Sequence, residues 1–160
     1  MAILKVVTGA DNKILRTKSK PVKKIDRTVK KLISDMIDTM MDCDGLGIAA
    51  PQVGVNLRIY IARLNFGTPN EMLMPMINAE FLEKSRETDV AEEGCLSIPK
   101  RFGELRRSSK VAVQYLDQRG QKHVLKLEEL NARIMQHEMD HLDGTLVADK
   151  WKKEREVQKS

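Results

Sequence analysis

Two histidines four residues apart, His137 and His141, lie in a segment whose apolar residues recur with helical spacing, and Glu138 directly follows the first of them. Leu130, Ile134, His137, Glu138 and His141 share one face of a helix predicted over about Glu128 to Asp143. Imidazoles and a carboxylate on a face meant for burial are costly unless something compensates them. Residues at i and i+4 rise about 6 Å apart on a helix, so both rings can reach one divalent cation. The Glu of this HExxH pattern then stands beside the open coordination position as a proton acceptor. The alternative, two surface histidines in chance register, fits poorly with their apolar-face positions.

A catalytic metal usually takes a third protein ligand. The extended HExxHxxGxxH pattern fails, because Gly144 matches but Val147 stands where the third histidine belongs. A Glu on a following helix also fits badly, since only 19 residues follow His141 and they end in a highly charged tail. The third ligand is therefore expected upstream, from Cys95, Cys43, His123 or a carboxylate. Cys95 stands out in Glu93-Gly94-Cys95-Leu96-Ser97, where a glycine lets backbone approach a site closely. Cys43 is expected to pack at the end of a helix, and His123 to be a half-exposed strand residue. A His₂Cys set leaves a fourth position for water.

The rest of the chain reads as one domain over residues 1–160. Val29, Leu32, Ile33, Met36, Ile37, Met40 and Met41 predict a helix from about Thr28 to Cys43, ended by a glycine signal at Asp44-Gly45. Extended segments follow at Leu57–Leu64, Met74–Phe81, Val111–Leu116 and His123–Leu127, with a hairpin turn at 117–120. Helix, several strands, then helix predicts an α+β fold. No apolar run approaches the ~18 residues of a membrane span, and no secretory leader is visible, so a cytosolic location is expected. Two cysteines are too few for a disulfide framework.

Charge is concentrated. The chain carries +5 overall, yet residues 16–31 hold eight cations against Asp26 alone. With 4% aromatic residues and no recognition motif, this reads as a solvated face with at most weak attraction to an RNA-rich assembly. A second basic cluster comprises Lys150, Lys152, Lys153, Arg155 and Lys159. We expect a monomer with neither membrane nor sequence-specific DNA partners. Separately, Gly45-Leu46-Gly47-Ile48-Ala49-Ala50-Pro51-Gln52 lacks the spacing and lysine of a phosphate loop, and by itself reads as a tight turn before a strand.

Taken in order, GLGIAAPQ at 45–52, EGCLS at 93–97 and QHEMDHLDG at 136–144 resemble the three motifs of the peptide deformylases, metal hydrolases that remove the formyl group from N-terminal formyl-methionine of nascent polypeptides. The likeness extends from the N-terminal segment to about Trp151. It implies mostly antiparallel sheets around a central helix bearing the two histidines. It also implies Cys95, His137 and His141 as ligands of one metal ion, Fe²⁺ by preference with Zn²⁺, Ni²⁺ or Co²⁺ as substitutes, and a water as fourth ligand. Glu138 becomes general base and acid, and the Gln52 amide with the Leu96 N–H stabilises the oxyanion.

By the same resemblance, the backbone of Gly47 and Ile48 pairs with an extended formyl-methionyl peptide. Leu130 and Ile134 are expected as walls of the methionine pocket, with Arg133 at its rim. Asp140 is expected to be structural, pairing with Arg106 or Arg107. The tail is shorter than in members that dock on the ribosome through a C-terminal helix, and Lys100 replaces a common glycine, leaving Arg101 and Phe102 unassigned.

Overall fold

The computed structural model describes residues 2–156. A short helix, α1 (Lys13–Arg16), precedes α2 (Arg27–Asp42), whose N-terminus is capped by the Asp26 carboxylate accepting the Val29 N–H. Val29, Ile33, Met36 and Met40 of α2 are buried as their spacing predicts, whereas Met41 falls off the stripe and is exposed. The helix end differs from expectation in two ways. Asp44, rather than Gly45, takes the left-handed conformation, and the thiol of Cys43 is exposed rather than packed.

Next come β1 (Gly47–Ala49), a 3₁₀ turn at Ala50–Val53, β2 (Ile59–Leu64), β3 (Met72–Lys84), β4 (Thr88–Cys95), β5 (Ile98–Ser108), β6 (Lys110–Leu116) and β7 (Lys122–Glu128). Then follow α3 (Glu129–Leu142), a 3₁₀ turn at Val147–Asp149 and β8 (Lys153–Glu156). One antiparallel sheet has the order β1-β2-β3-β6-β7, and a second has the order β4-β5-β8. This is a mixed α/β architecture with antiparallel sheets and few helices. No helix among the described residues is long and apolar enough to cross a membrane.

Strand β2 is buried along its whole length because helices cover both its faces. Tyr60, Ala62 and Leu64 pack toward Ala132, Met135 and Met139 of α3. Ile59 and Ile61 point the other way, toward Ile33, Met36 and Met40 of α2. Period-2 alternation thus gives each face its own core, and the sequence reads as a continuous apolar run. Helix α3 also touches β1, β5, β6 and β7, so it lies against both sheets.

The β4–β5 hairpin and β8 were not expected; β8 is formed by part of the highly charged tail. β8 pairs with β5 from Arg101 to Glu104. Trp151, just before it, lies so close over Gly103 that a Cβ there would meet its ring. The Trp151 indole N–H donates to the Glu93 carbonyl at 3.1 Å, tying the C-terminal segment to the hairpin. Lys159 of the basic C-terminal cluster lies outside the described residues. The cations of residues 18–31 are exposed along the approach to α2 and over its first turn.

Candidate active site

Helix α3 carries His137 and Glu138 into a cleft of about 490 Å³ between α3, β1 and the β4–β5 hairpin, with His141 buried one turn further along the helix. Cys95 ends β4, and Leu96-Ser97 form the turn into β5, with Cys95 opposite Ile98. Ligand atoms of Cys95, His137 and His141 all lie within 4.8 Å of one another. The Cys95 Sγ is 3.3 Å from His141 Nε2. The other sequence candidates fall elsewhere: Cys43 is exposed, and His123 stacks on Tyr115 with its Nε2 2.6 Å from Asp117.

The remaining ring nitrogen of His137 is already fixed. Its Nδ1 lies 2.8 Å from Glu93 Oε1, which leaves Nε2 for a ligand role. Glu93 is the hub of a buried ionic network. Arg107 grips it with Nε at 2.9 Å and Nη2 at 3.0 Å, and Arg133 Nη1 reaches it at 2.5 Å. Arg107 also pairs with Asp140 at 2.7 Å, and Lys150 pairs with Asp140 from outside. Arg133 further binds the Asp89 carboxylate. It lines the cleft, but buried in this network rather than at the rim.

The electrostatics follow from this packing. Burial alone would push the Glu93 carboxyl up, but hydrogen bonds from His137 and Arg107 outweigh it and hold it far below the usual carboxylate range. Burial would likewise raise the Cys95 thiol, yet the adjacent His141 and His137 bring it well below the usual thiol range. His137, despite burial, is held well above the ordinary imidazole value by Cys95 and Glu93. Glu138 goes up, chiefly from burial.

A transition-metal ion fits this donor set: one thiolate-prone sulfur and two imidazoles converge, with Glu93 in position to orient one ring. Two buried polar atoms at the site, Glu138 Oε2 and His141 Nδ1, have no hydrogen-bond partner among the described residues. Such orphans are uncommon in an interior.

Gln52 faces the same cleft. Its Oε1 accepts the Ala49 N–H at 2.9 Å, which orients the amide so that Nε2 donates to Ser97 Oγ at 3.2 Å and lies 3.6 Å from Cys95 Sγ. The N-terminal segment braces both motifs, because Val7 N–H donates to the Gln52 carbonyl and Gly9 N–H to the Ser97 carbonyl. Nothing in that segment's composition announces this role.

Gly47, Leu96, Leu130 and Ile134 line the cleft, Ile134 buried and Leu130 exposed. Ile48 does not; its side chain is fully buried against α2. The Arg63 N–H bonds the Leu46 carbonyl, and Ile48 lies opposite Ile61. Alternation in an antiparallel ladder then turns the Ile48 backbone groups toward β2 and those of Gly47 outward, at a sheet edge. Of the two residues expected to pair through their backbone, only Gly47 therefore turns its groups away from β2.

With this geometry in place, the sequence was compared with known proteins. Residues 3–157 match the family model described as polypeptide deformylase. The chain is 45% identical over 139 residues to the peptide deformylase of Thermotoga neapolitana, covering 87% of this chain and 82% of that one. It is 42% identical over 153 residues to that of Desulfitobacterium hafniense, covering 96% and 97%. Among solved structures, the Thermotoga maritima peptide deformylase superposes with a TM-score of 0.88 at 42% identity, covering 94% of this chain and 99% of that one. The Ehrlichia chaffeensis peptide deformylase in complex with actinonin gives 0.89 at 37% identity, covering 94% and 89%.

Proposed function

The chain belongs to the polypeptide deformylase family and is an enzyme; from that membership and the cleft geometry we propose how it releases formate from the N-terminal formyl-methionine of nascent polypeptides. The observation that carries the proposal is the convergence of Cys95, His137 and His141 within 4.8 Å, beside a buried Glu138. These three residues hold one divalent ion, with Fe²⁺ proposed as resident and Zn²⁺, Ni²⁺ or Co²⁺ as substitutes. When bound, the ion supplies Lewis acidity and lowers the pKa of a water at its open position.

The chain's own residues do the rest. Glu138, desolvated by burial, accepts a proton from the attacking water and returns it to the departing amine nitrogen. Gln52 Nε2, held in orientation through its own Oε1, donates to the developing oxyanion together with the Leu96 N–H of the turn. Glu93 fixes the His137 ring, and Arg107 and Arg133 compensate its buried charge.

The peptide adds as a strand along the outward edge of β1 at Gly47. Its methionine side chain packs on Leu130 and Ile134. The exposure of Leu130, 44%, supports a surface that substrate covers. We place the activity in the cytosol on newly made chains, where the exposed cations of residues 18–31 supply weak attraction to RNA-rich surfaces such as the ribosome.

The test is formate release from formyl-Met-Ala-Ser, with acetyl-Met-Ala-Ser and an end-blocked peptide as comparisons. Formate from the first, with neither acetate release nor internal cleavage, is the expected result. Internal cleavage of the blocked peptide would instead favour an HExxH endopeptidase.

A further inference from the structure

Strand β5 leaves its ladder directly opposite the metal-ligand candidate Cys95. Gly94 pairs with Phe102, but the next pair is Cys95 with Ile98, so Pro99, Lys100 and Arg101 have no partner on β4. Bulges beside active sites commonly re-aim a side chain. Here the bulge holds Lys100 at φ 66°, a left-handed conformation that a side-chain-bearing residue adopts at a steric cost. Strain of this kind persists where surrounding structure enforces it, and it concentrates at functional sites.

Lys100 is exposed and lines the cleft containing Cys95, His137 and Glu138. Among the other charged residues at the cleft, Arg101 pairs with Glu154 and lies over the Trp151 ring, and Asp44 pairs with Arg63. Lys100 has no carboxylate partner among the described residues. A strained backbone thus presents at the cleft an exposed ammonium group with no ion-pair partner among the described residues.

We propose that Lys100 is a specificity-determining residue, favouring formyl-methionyl peptides with an acidic side chain in the positions following methionine. The proposal rests on the deformylase reading above. With the formyl group at the Cys95 cluster and the methionine side chain on Leu130 and Ile134, the rest of the peptide must leave through the cleft opening. Exposed charge pairs are modest, so the effect is a preference of about three- to fivefold rather than an absolute requirement.

The experiment measures kcat/KM for formyl-Met-Ala-Ser and for peptides carrying Glu or Lys at the second or third position. It uses wild type, Lys100→Glu and Lys100→Gly. The readout is the ratio between peptides within each variant, so a change in overall turnover does not enter it. The wild type should favour Glu over Lys at one or both positions, mainly through KM. The ratio should invert in Lys100→Glu and fall toward unity in Lys100→Gly and in wild type at about 1 M salt, where the screening length is about 3 Å. Lys100→Gly should also melt at a higher temperature, since glycine relieves the left-handed backbone. Formate release with ratios near unity in all three proteins, or a ratio unchanged by Lys100→Glu, would overturn the assignment alone. No formate from any peptide would overturn the deformylase reading, and this assignment with it.

Discussion

The Glu138 carboxylate occupies the space beside Gly47 where any other residue would place its side chain: a Cβ there would stand 2.6 Å from Oε1 and 2.9 Å from Cδ. The second glycine of GLGIAAPQ is therefore demanded by the acid of HExxH, although 91 positions separate them in the chain. Gly47→Ala should displace Glu138 while leaving the fold intact. Overpacking of this size destabilises by about 1–3 kcal/mol, whereas loss of a placed acid–base group lowers turnover by about 10²–10⁴-fold. Circular dichroism and melting, set beside formate release, separate the two effects.

Gln52 offers a finer test, because its two amide atoms do different work. Gln52→Glu keeps an oxygen for the Ala49 N–H and removes the donor facing Cys95. Loss of one oxyanion donor typically lowers kcat by about 10²–10³. Steady-state kinetics should show that fall in kcat at equal metal content.

Glu93→Gln removes the charge that two buried arginines and His137 share. Breaking a buried ion pair by removing one partner costs about 3–5 kcal/mol, and outer-shell changes weaken metal binding about 10–100-fold. Denaturant melts and metal titration with a chromophoric chelator should register both losses. Melting of metal-loaded protein should gain less from added metal than wild type does.

The pair between Arg16 and Asp149 clasps the segment after α3, with Arg16 also donating to the Ala10 carbonyl. Its hydrogen bond from Arg16 holds the Asp149 carboxyl below the usual range. A depressed carboxyl contributes stability above its unfolded value, about 3.9, and that contribution disappears as pH falls through the lower folded value. Both side chains are more than a third exposed, so the contribution is at most about 1 kcal/mol. The melting difference between wild type and Asp149→Asn should be visible at pH 6 and shrink progressively as the pH falls below about 3.9.

What the sequence made legible follows its periodicities. The apolar stripe of α2 apart from Met41, the strand bearing Val111, Val113 and Tyr115, and the α3 face shared by Ile134, His137 and His141 but not by the exposed Leu130 are local patterns that appear where expected. The β4–β5 hairpin was hidden because its interior is ionic: Glu93 and Arg107 are buried as a pair, so neither strand shows clean alternation of apolar and polar residues. The same pairing concealed the burial of Arg133. The support given to Gln52 and Ser97 by Val7 and Gly9 runs through backbone groups, which side-chain patterns do not mark. Asp140 is the intermediate case, since an arginine partner was expected and Arg107 is the one it meets.

The most direct test of the account is formate release by Glu138→Gln, prepared anaerobically with iron and shown to carry as much metal as wild type. The account predicts that the variant binds formyl-Met-Ala-Ser and retains its metal while turnover falls by about 10²–10⁴-fold. Turnover equal to wild type at equal metal content would contradict it, and would remove Glu138 from the chemistry.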